Sequence, residues 1–182
     1  MLKKLTTPLL LFLCILSIPS FFYFYYSTQT VEAAAGDRIN YELPYPGILP
    51  GNPLYSIKSA RDSLLQWMMR DNYKKAQLRI QISDKNVRGA QMLSKDKQYD
   101  NAEKILIDGE TIFEKAIDDT INAKEQGASP TSEFKTKMKT SNLKHKEIIS
   151  DIMKSIPESE RAAFKKSLEQ NNENAQKLQS HL

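Results

Sequence analysis

Apolar residues recur at alternating steps of three and four along most of the chain beyond residue 53, and this spacing most restricts the fold. In residues 71–94 the stripe comprises Tyr73, Ala76, Ile80, Ser83, Val87 and Ala90. In residues 97–125 it comprises Tyr99, Ala102, Leu106, Gly109, Phe113 and Ala116. Such a stripe is the buried side of a helix. Only two of the eight prolines lie beyond residue 53, so the sequence predicts an all-α fold.

Capping residues and prolines divide this region into about five helices. Asn52 followed by Pro53 predicts the start of the first helix, which should end near Arg70. Its predicted buried residues are Leu54, Ile57, Leu64 and Met68, with Trp67 beside them. The predicted caps of later helices are Asp71, Asp96 and Ser155, the last in a capping box with Glu158. Within each stripe the apolar positions recur every seven residues and so form a seam along the helix. These seams, together with short connections between helices, predict an antiparallel bundle of long helical hairpins with coiled-coil packing.

The first 35 residues have the pattern of a signal peptide or a membrane anchor. Two lysines precede an uncharged run over residues 9–26, close to the ~20 residues that span a bilayer as a helix. Small residues favour cleavage after Ala35, whereas the aromatic cluster over residues 21–26 favours a retained transmembrane helix. Both alternatives predict export: the protein is secreted after cleavage, or anchored in the cell membrane through residues 9–26 with its N terminus inside.

Two further segments follow the targeting segment. Residues 36–53 hold four prolines and are predicted to form an extended Pro-rich collar, because each proline disfavours helix at the residue before it. Residues 54–182 are predicted to form the helical bundle domain. The single Cys, Cys14, belongs to the targeting segment, so no disulfide is expected in the exported part.

The exported part contains no recognisable catalytic motif, and we expect a protein that is not an enzyme and uses no cofactor. His145 and Glu147 lack the second histidine of a zinc-protease motif. His145 lies on a helix seam, where a hydrogen-bonded core histidine is a better interpretation than a metal ligand. No metal site is therefore predicted.

A basic stretch on the fourth predicted helix has two interpretations. Its residues are Lys135, Lys137, Lys139, Lys144 and Lys146. They suit contact with a polyanion, either anionic lipid headgroups or a wall polymer, and they equally suit a solvated helix face. Nucleic acid is not an expected partner, because no aromatic residues are interleaved with the lysines and the protein is predicted to be exported.

A motif in the collar and the first helices resembles a known family. It comprises Leu43-Pro44-Tyr45-Pro46-Gly47-Ile48-Leu49-Pro50, Asn52-Pro53-Leu54-Tyr55, Lys58, Arg61-Asp62, Lys74-Lys75-Ala76 and Asp84-Lys85. Over residues 41–125 the chain resembles an uncharacterised family of exported bacterial α-helical proteins that carry a domain of unknown function. The resemblance implies a helical fold outside the cytoplasm and supplies no activity.

The motif has a structural and a functional interpretation. Its candidate residues are Pro44, Tyr45, Pro46, Tyr55, Arg61, Asp62 and Asp84. In the structural interpretation, which we favour, Tyr45 and Tyr55 pack on apolar stripes. Arg61 then reaches Asp84, or backbone carbonyls that the prolines leave free. In the functional one, the Pro-Tyr segment is an exposed, peptide-like ligand for a partner.

These observations predict a surface-acting protein. We expect a non-enzymatic, extracytoplasmic helical module that binds or scaffolds components of the bacterial cell envelope, with an envelope protein or a cell-surface polymer as partner. The alternative is a small periplasmic-type stress sensor or holdase that binds metal or unfolded chains in apolar grooves between helices.

Overall fold

Five α-helices make up the part of the chain that the structure, a computed structural model, describes. It covers residues 38–182, so the predicted targeting segment and the start of the collar lie outside the described residues. The helices are α1 (Tyr55–Met68), α2 (Asn72–Lys95), α3 (Tyr99–Glu125), α4 (Ser132–Ser155) and α5 (Glu158–His181). Residues 38–182 contain no strand, which confirms the all-α prediction. None of these helices has the length and apolar character needed to cross a membrane.

Helices α2 to α5 form a four-helix bundle. α2 packs against α3 and α4, and α5 packs against the same two helices. Arg79 contacts Asp119, and Ser83 contacts the carbonyl of Gly109, so α2 and α3 form an antiparallel hairpin. α4 and α5 form the second hairpin. The consecutive helices α3 and α4 lie diagonally across the bundle, and they meet through side chains such as Glu110 and His145 rather than by close approach of their backbones.

The helix caps agree only in part with the sequence prediction. Asp71 caps α2 as predicted, because its carboxylate accepts a hydrogen bond from the backbone N–H of Lys74 at 2.9 Å. The other three predicted caps, Asn52, Asp96 and Ser155, are wrong: α1 begins at Tyr55, Asp96 follows the end of α2, and Ser155 ends α4. Asn52 and Ser155 bond to backbone groups of their own turns instead, a common competitor to capping.

Two apolar clusters form the core, and polar residues separate them. The first core cluster contains Leu43, Val87, Ala90, Leu93, Ala102, Ile105, Leu106, Ile148, Ile149, Ile152, Ile156 and Phe164. The second core cluster contains Ala76, Ile80, Phe113, Ala116, Ile117, Phe134, Met138 and Leu178. Each of α2 to α5 contributes to both clusters, and on each helix buried polar residues lie between the two contributions. A polar layer therefore crosses the middle of the bundle.

The collar packs along the outside of the bundle. Leu43 and Pro46 are buried, and the backbone of Ile39 bonds to Glu147 and Lys144 of α4. Gly89 of α2 makes room for this segment, because a Cβ atom there would lie 2.8 Å from the side chain of Leu49. The collar thus folds back on the helices, which is the structural interpretation of the motif.

The burial predicted for α1 is wrong. None of its residues is buried, and its apolar residues point outward: Ile57 is 66% exposed, Leu64 53% and Met68 63%, as is the preceding Leu54 at 54%. The physical reason is that the polar side of the helix makes the contacts with the rest of the protein. Lys58 donates to the collar carbonyls of Pro46 and Ile48, and Gln66 accepts from Arg79 of α2.

Candidate functional site

The polar layer is centred on the imidazole of His145, which lies between two carboxylates. Its Nδ1 is 2.9 Å from Oε1 of Glu110, and its Nε2 is 3.0 Å from Oδ1 of Asp84. These three residues come from three different helices, and none of them is more than 1% exposed. Such buried charges are tolerated only when each is paired and hydrogen-bonded.

Neutral donors complete the shell around both carboxylates. Asp84 accepts from the hydroxyl of Ser141 at 2.6 Å and from that of Tyr41 in the collar at 2.5 Å. Glu110 accepts from the side-chain amides of Asn171 and Asn174 on α5, at 3.3 and 3.2 Å. All four bundle helices and the collar therefore meet in this layer.

The electrostatics of the layer keep His145 charged at neutral pH. Burial opposes the charge, but the attraction of Glu110 and the hydrogen bonds to Asp84 and Glu110 outweigh it and raise the pKa of His145 to about 9. Both ring N–H groups then donate, one to each carboxylate. Burial and the adjacent Asp84 also raise the pKa of Tyr41, which stays a protonated donor.

This arrangement leaves the layer little chemistry to perform on a ligand. The carboxylates and the imidazole bind one another and have no exposed surface from which to reach a substrate. Within residues 38–182, no group of three or more His, Cys, Asp or Glu side chains is placed to hold a metal ion. The layer joins the helices, and the prediction that His145 is a hydrogen-bonded core histidine is confirmed.

The stability of the protein should fall as the pH rises above neutrality. Since the pKa of His145 is about 9 in the folded protein and 6.5 in a free histidine, its stabilisation is complete below about pH 6.5 and lost toward pH 9. Burial lowers the pKa of Lys85 to about 8 in the folded protein, so this group increases the stability as the pH rises above 8, opposite to the effect of His145. Between pH 6.5 and 8 we expect the free energy of unfolding to drop by about 1–2 kcal/mol in urea titrations.

The triple variant Asp84→Asn/Glu110→Gln/His145→Gln provides the control for this pH dependence. None of the three replacements titrates in this range and no buried carboxylate is left without a cation, so its free energy of unfolding should stay level between pH 6.5 and 8. An equal drop in the variant would assign the effect to another group.

The candidate residues of the collar motif do not form one site. Asp84 lies in the polar layer and binds Tyr41, whereas Arg61 pairs with its neighbour Asp62 at 2.7 Å, so the predicted contact between Arg61 and Asp84 is wrong. Arg61 and Asp62 are adjacent on the exposed α1, so each is already paired with an opposite charge. The collar carbonyls predicted as the other target of Arg61 are bound by Lys58.

The two tyrosines of the motif have different environments. Tyr55 packs against the first core cluster as predicted. Tyr45 is 72% exposed, so its predicted packing is wrong. Of its neighbours, Pro44 is partly buried and Pro46 is buried. Alternate positions of the extended collar therefore face the bundle and solvent.

The five lysines of α4 are divided between two sides of the helix. At 100° per residue, Lys135, Lys139 and Lys146 lie on one side of the buried stripe, and Lys137 and Lys144 on the other. Lys144 is engaged with Glu147 at 2.9 Å and with the collar. The stretch is thus two separate rows rather than one basic patch.

The side of α1 that faces away from the bundle is the most distinctive surface of residues 38–182. We call it the outer face, and it consists of Ile57, Leu64, Leu65, Trp67 and Met68. Nine large hydrophobic residues of the described chain are exposed, and eight of them lie between residues 45 and 68. Single exposed apolar residues are ordinary, but a contiguous set marks an interaction surface.

A polar groove lies beneath α1. It has a volume of about 490 Å³ and is lined by Lys58, Asp62 and Gln66 of α1 and by residues of α2 and α3. The ring of Trp67, at the edge of the outer face, also borders this groove and is 81% exposed. Arg79 crosses it, binding Asp119 at 2.7 Å, the carbonyl of Lys115 and Gln66. The contacts of Arg79 across the groove hold the polar side of α1 toward the bundle and leave the outer face toward solvent.

Sequence reasoning missed several members of these sites. Glu110, Asn174 and Tyr41 were not predicted to be buried polar residues. A usable signal existed for Glu110, which lies four residues after Leu106 and three before Phe113, and for Asn174, three residues after the inward Asn171. Tyr41 lies in the collar, where no helical periodicity applies.

Comparison with known proteins identifies one family. The family model described as a domain of unknown function (DUF5667) matches residues 47–180. This region extends beyond residues 41–125 and includes α4 and α5. No curated protein and no solved structure matches the chain.

Proposed function

Since the chain belongs to the DUF5667 family, a domain of unknown function, we propose a function from its own surface: a non-enzymatic, extracytoplasmic module that binds or scaffolds components of the bacterial cell envelope. Its binding surface is the outer face of α1. The observation that carries this proposal is the orientation of α1, whose polar side is anchored on the bundle while Trp67 is 81% exposed.

The remaining architecture supports a binding role rather than a catalytic one. The cluster of Asp84, Glu110 and His145 is sealed from solvent, and its charged groups bind one another. The bundle is closed, and a common polar layer joins its helices to the collar. It therefore forms a rigid support for an exposed helix. Export is supported by the uncharged run over residues 9–26 behind two lysines.

Site-specific photo-crosslinking in living cells tests this function. A photoreactive amino acid replaces Trp67 in the full chain, and a matched variant carries it at Lys165, an exposed position of α5. We expect discrete adducts with an envelope component from position 67 and none from position 165.

Three outcomes would overturn the proposal. No adduct at position 67, or the same adducts from both positions, would remove α1 as a binding surface. A broad mixture of unfolded chains captured at position 67 would favour a holdase instead.

A further inference from the structure

We propose that the outer face of α1 lies on a lipid bilayer as an interfacial amphipathic helix, which makes the membrane surface its partner. This inference rests on the proposed function and names the partner of the same surface. It does not depend on residues 9–26 for the contact itself, because the contact is made by α1.

The geometry of α1 meets the requirements of an interfacial helix. At 100° per residue, Ile57, Leu64 and Met68 fall within a narrow arc, with Leu65 and Trp67 on either side of it. Such helices bury their apolar side about 5–10 Å into the boundary of headgroups and acyl chains, commonly with Trp and Leu on that side. In this protein the polar side, which would otherwise be solvated, is already bound to the bundle.

Collar residues extend the apolar surface at the start of α1. Lys58 binds the carbonyls of both Pro46 and Ile48, which places the exposed residues Tyr45 and Ile48 beside the first turn of the helix. The surface is therefore a shallow convex strip rather than a pocket. A strip of this shape matches a flat interface without requiring a complementary groove.

Charge and chain position favour lipid over a second copy of the protein. Residues 55–70 carry three basic side chains against one acidic, and Arg70 is exposed, whereas the exposed Arg61 is paired with Asp62. The resulting net positive charge suits anionic headgroups and disfavours pairing of like surfaces. In the sequence, an uncharged run ends at Tyr26, so a chain that retains this run is tethered to the bilayer whose headgroups are the inferred partner.

The fluorescence of Trp67 provides a direct test, because it is the only tryptophan of the full chain. The full-length protein is reconstituted into anionic vesicles whose acyl chains carry bromine at a shallow or a deep position. We expect blue-shifted emission that shallow bromine quenches more strongly than deep bromine. The apolar run contributes no signal, since it contains Phe and Tyr but no Trp.

Paired variants separate insertion of α1 from anchoring of the chain. In Ile57→Ser/Leu64→Ser, quenching should be lost while the protein remains with the vesicles. In Leu143→Ser, which removes the one exposed large hydrophobic of residues 69–182, quenching should be unchanged. Circular dichroism establishes that both variants are folded, as expected from the exposure of all three side chains.

Three results would overturn the inference. They are an unquenched Trp67, quenching that survives in Ile57→Ser/Leu64→Ser, and shielding of Trp67 without lipid that grows with protein concentration, which would identify a second copy as the occupant. If Trp67 is unquenched while crosslinking at position 67 captures an envelope protein, the lipid inference fails and the proposed function stands. If Trp67 is unquenched and crosslinking at position 67 captures no envelope component, the lipid inference and the proposed function both fail.

Discussion

Replacing His145 with leucine is expected to lower the free energy of unfolding by about 3–5 kcal/mol, because it leaves two buried carboxylates without a cation. Asp84 and Glu110 each lose a charge-assisted hydrogen bond, and neither can reach water. Leucine is apolar and close to histidine in volume, so neither overpacking nor a large cavity is the main cause of the loss. Urea denaturation followed by circular dichroism at pH 6.5, where His145 is charged, measures the change.

A milder variant at the same carboxylate supplies the comparison. Ser141→Ala removes one neutral donor to Asp84 and leaves the ion pairs in place, so its expected cost is about 1–2 kcal/mol. If the two variants cost the same, the charge on His145 would not be the main contribution of the layer. A cost below about 1 kcal/mol for His145→Leu would contradict the charged layer altogether.

The bundle was predictable from sequence because its signal is repeated many times. Stripes such as Ala76, Ile80 and Val87 specify the helices and their buried sides, and each of these three residues is fully buried in the structure. Stop signals between stripes fix the number of helices. Caps are less predictable, because a side chain such as that of Asn52 can bond to its own turn as readily as to a helix end.

The polar layer was predictable only in part. Ser83 and His145 lie on predicted inward stripes, and both are buried. Their partners could not be inferred, because pairs such as His145 with Glu110 join residues far apart in the chain. Periodicity assigns a residue to a side of its helix, whereas pairing across helices depends on the register of the assembled bundle.

The orientation of α1 was not predictable from its pattern. An amphipathic helix has an apolar side, and burial of that side is the ordinary outcome in a globular protein. In this protein, the contacts of Lys58 and Gln66 with the collar and Arg79 fix the opposite side inward. Those partners lie outside α1, so its own sequence carries no information about them.

Replacing Phe113 with alanine is expected to lower the free energy of unfolding by about 3–5 kcal/mol. The ring is fully buried in the second core cluster, and its centroid lies 5.3 Å from that of His145 in an edge-to-face arrangement. Removing it creates a cavity between the core and the polar layer. Phe113→Leu fills most of that space and should cost about 1 kcal/mol. Urea denaturation at one pH compares the two.

Trp67→Ala is the matched control, since it truncates an aromatic side chain of similar bulk that is 81% exposed on α1. Its expected effect is within about 0.5 kcal/mol, because little apolar area is returned to water. A large loss for Phe113→Ala with none for Trp67→Ala would follow from a closed bundle that carries α1 with its apolar side outward. Comparable losses for both would mean that α1 packs its apolar side on the bundle in solution, and the surface on which the binding proposal rests would not exist.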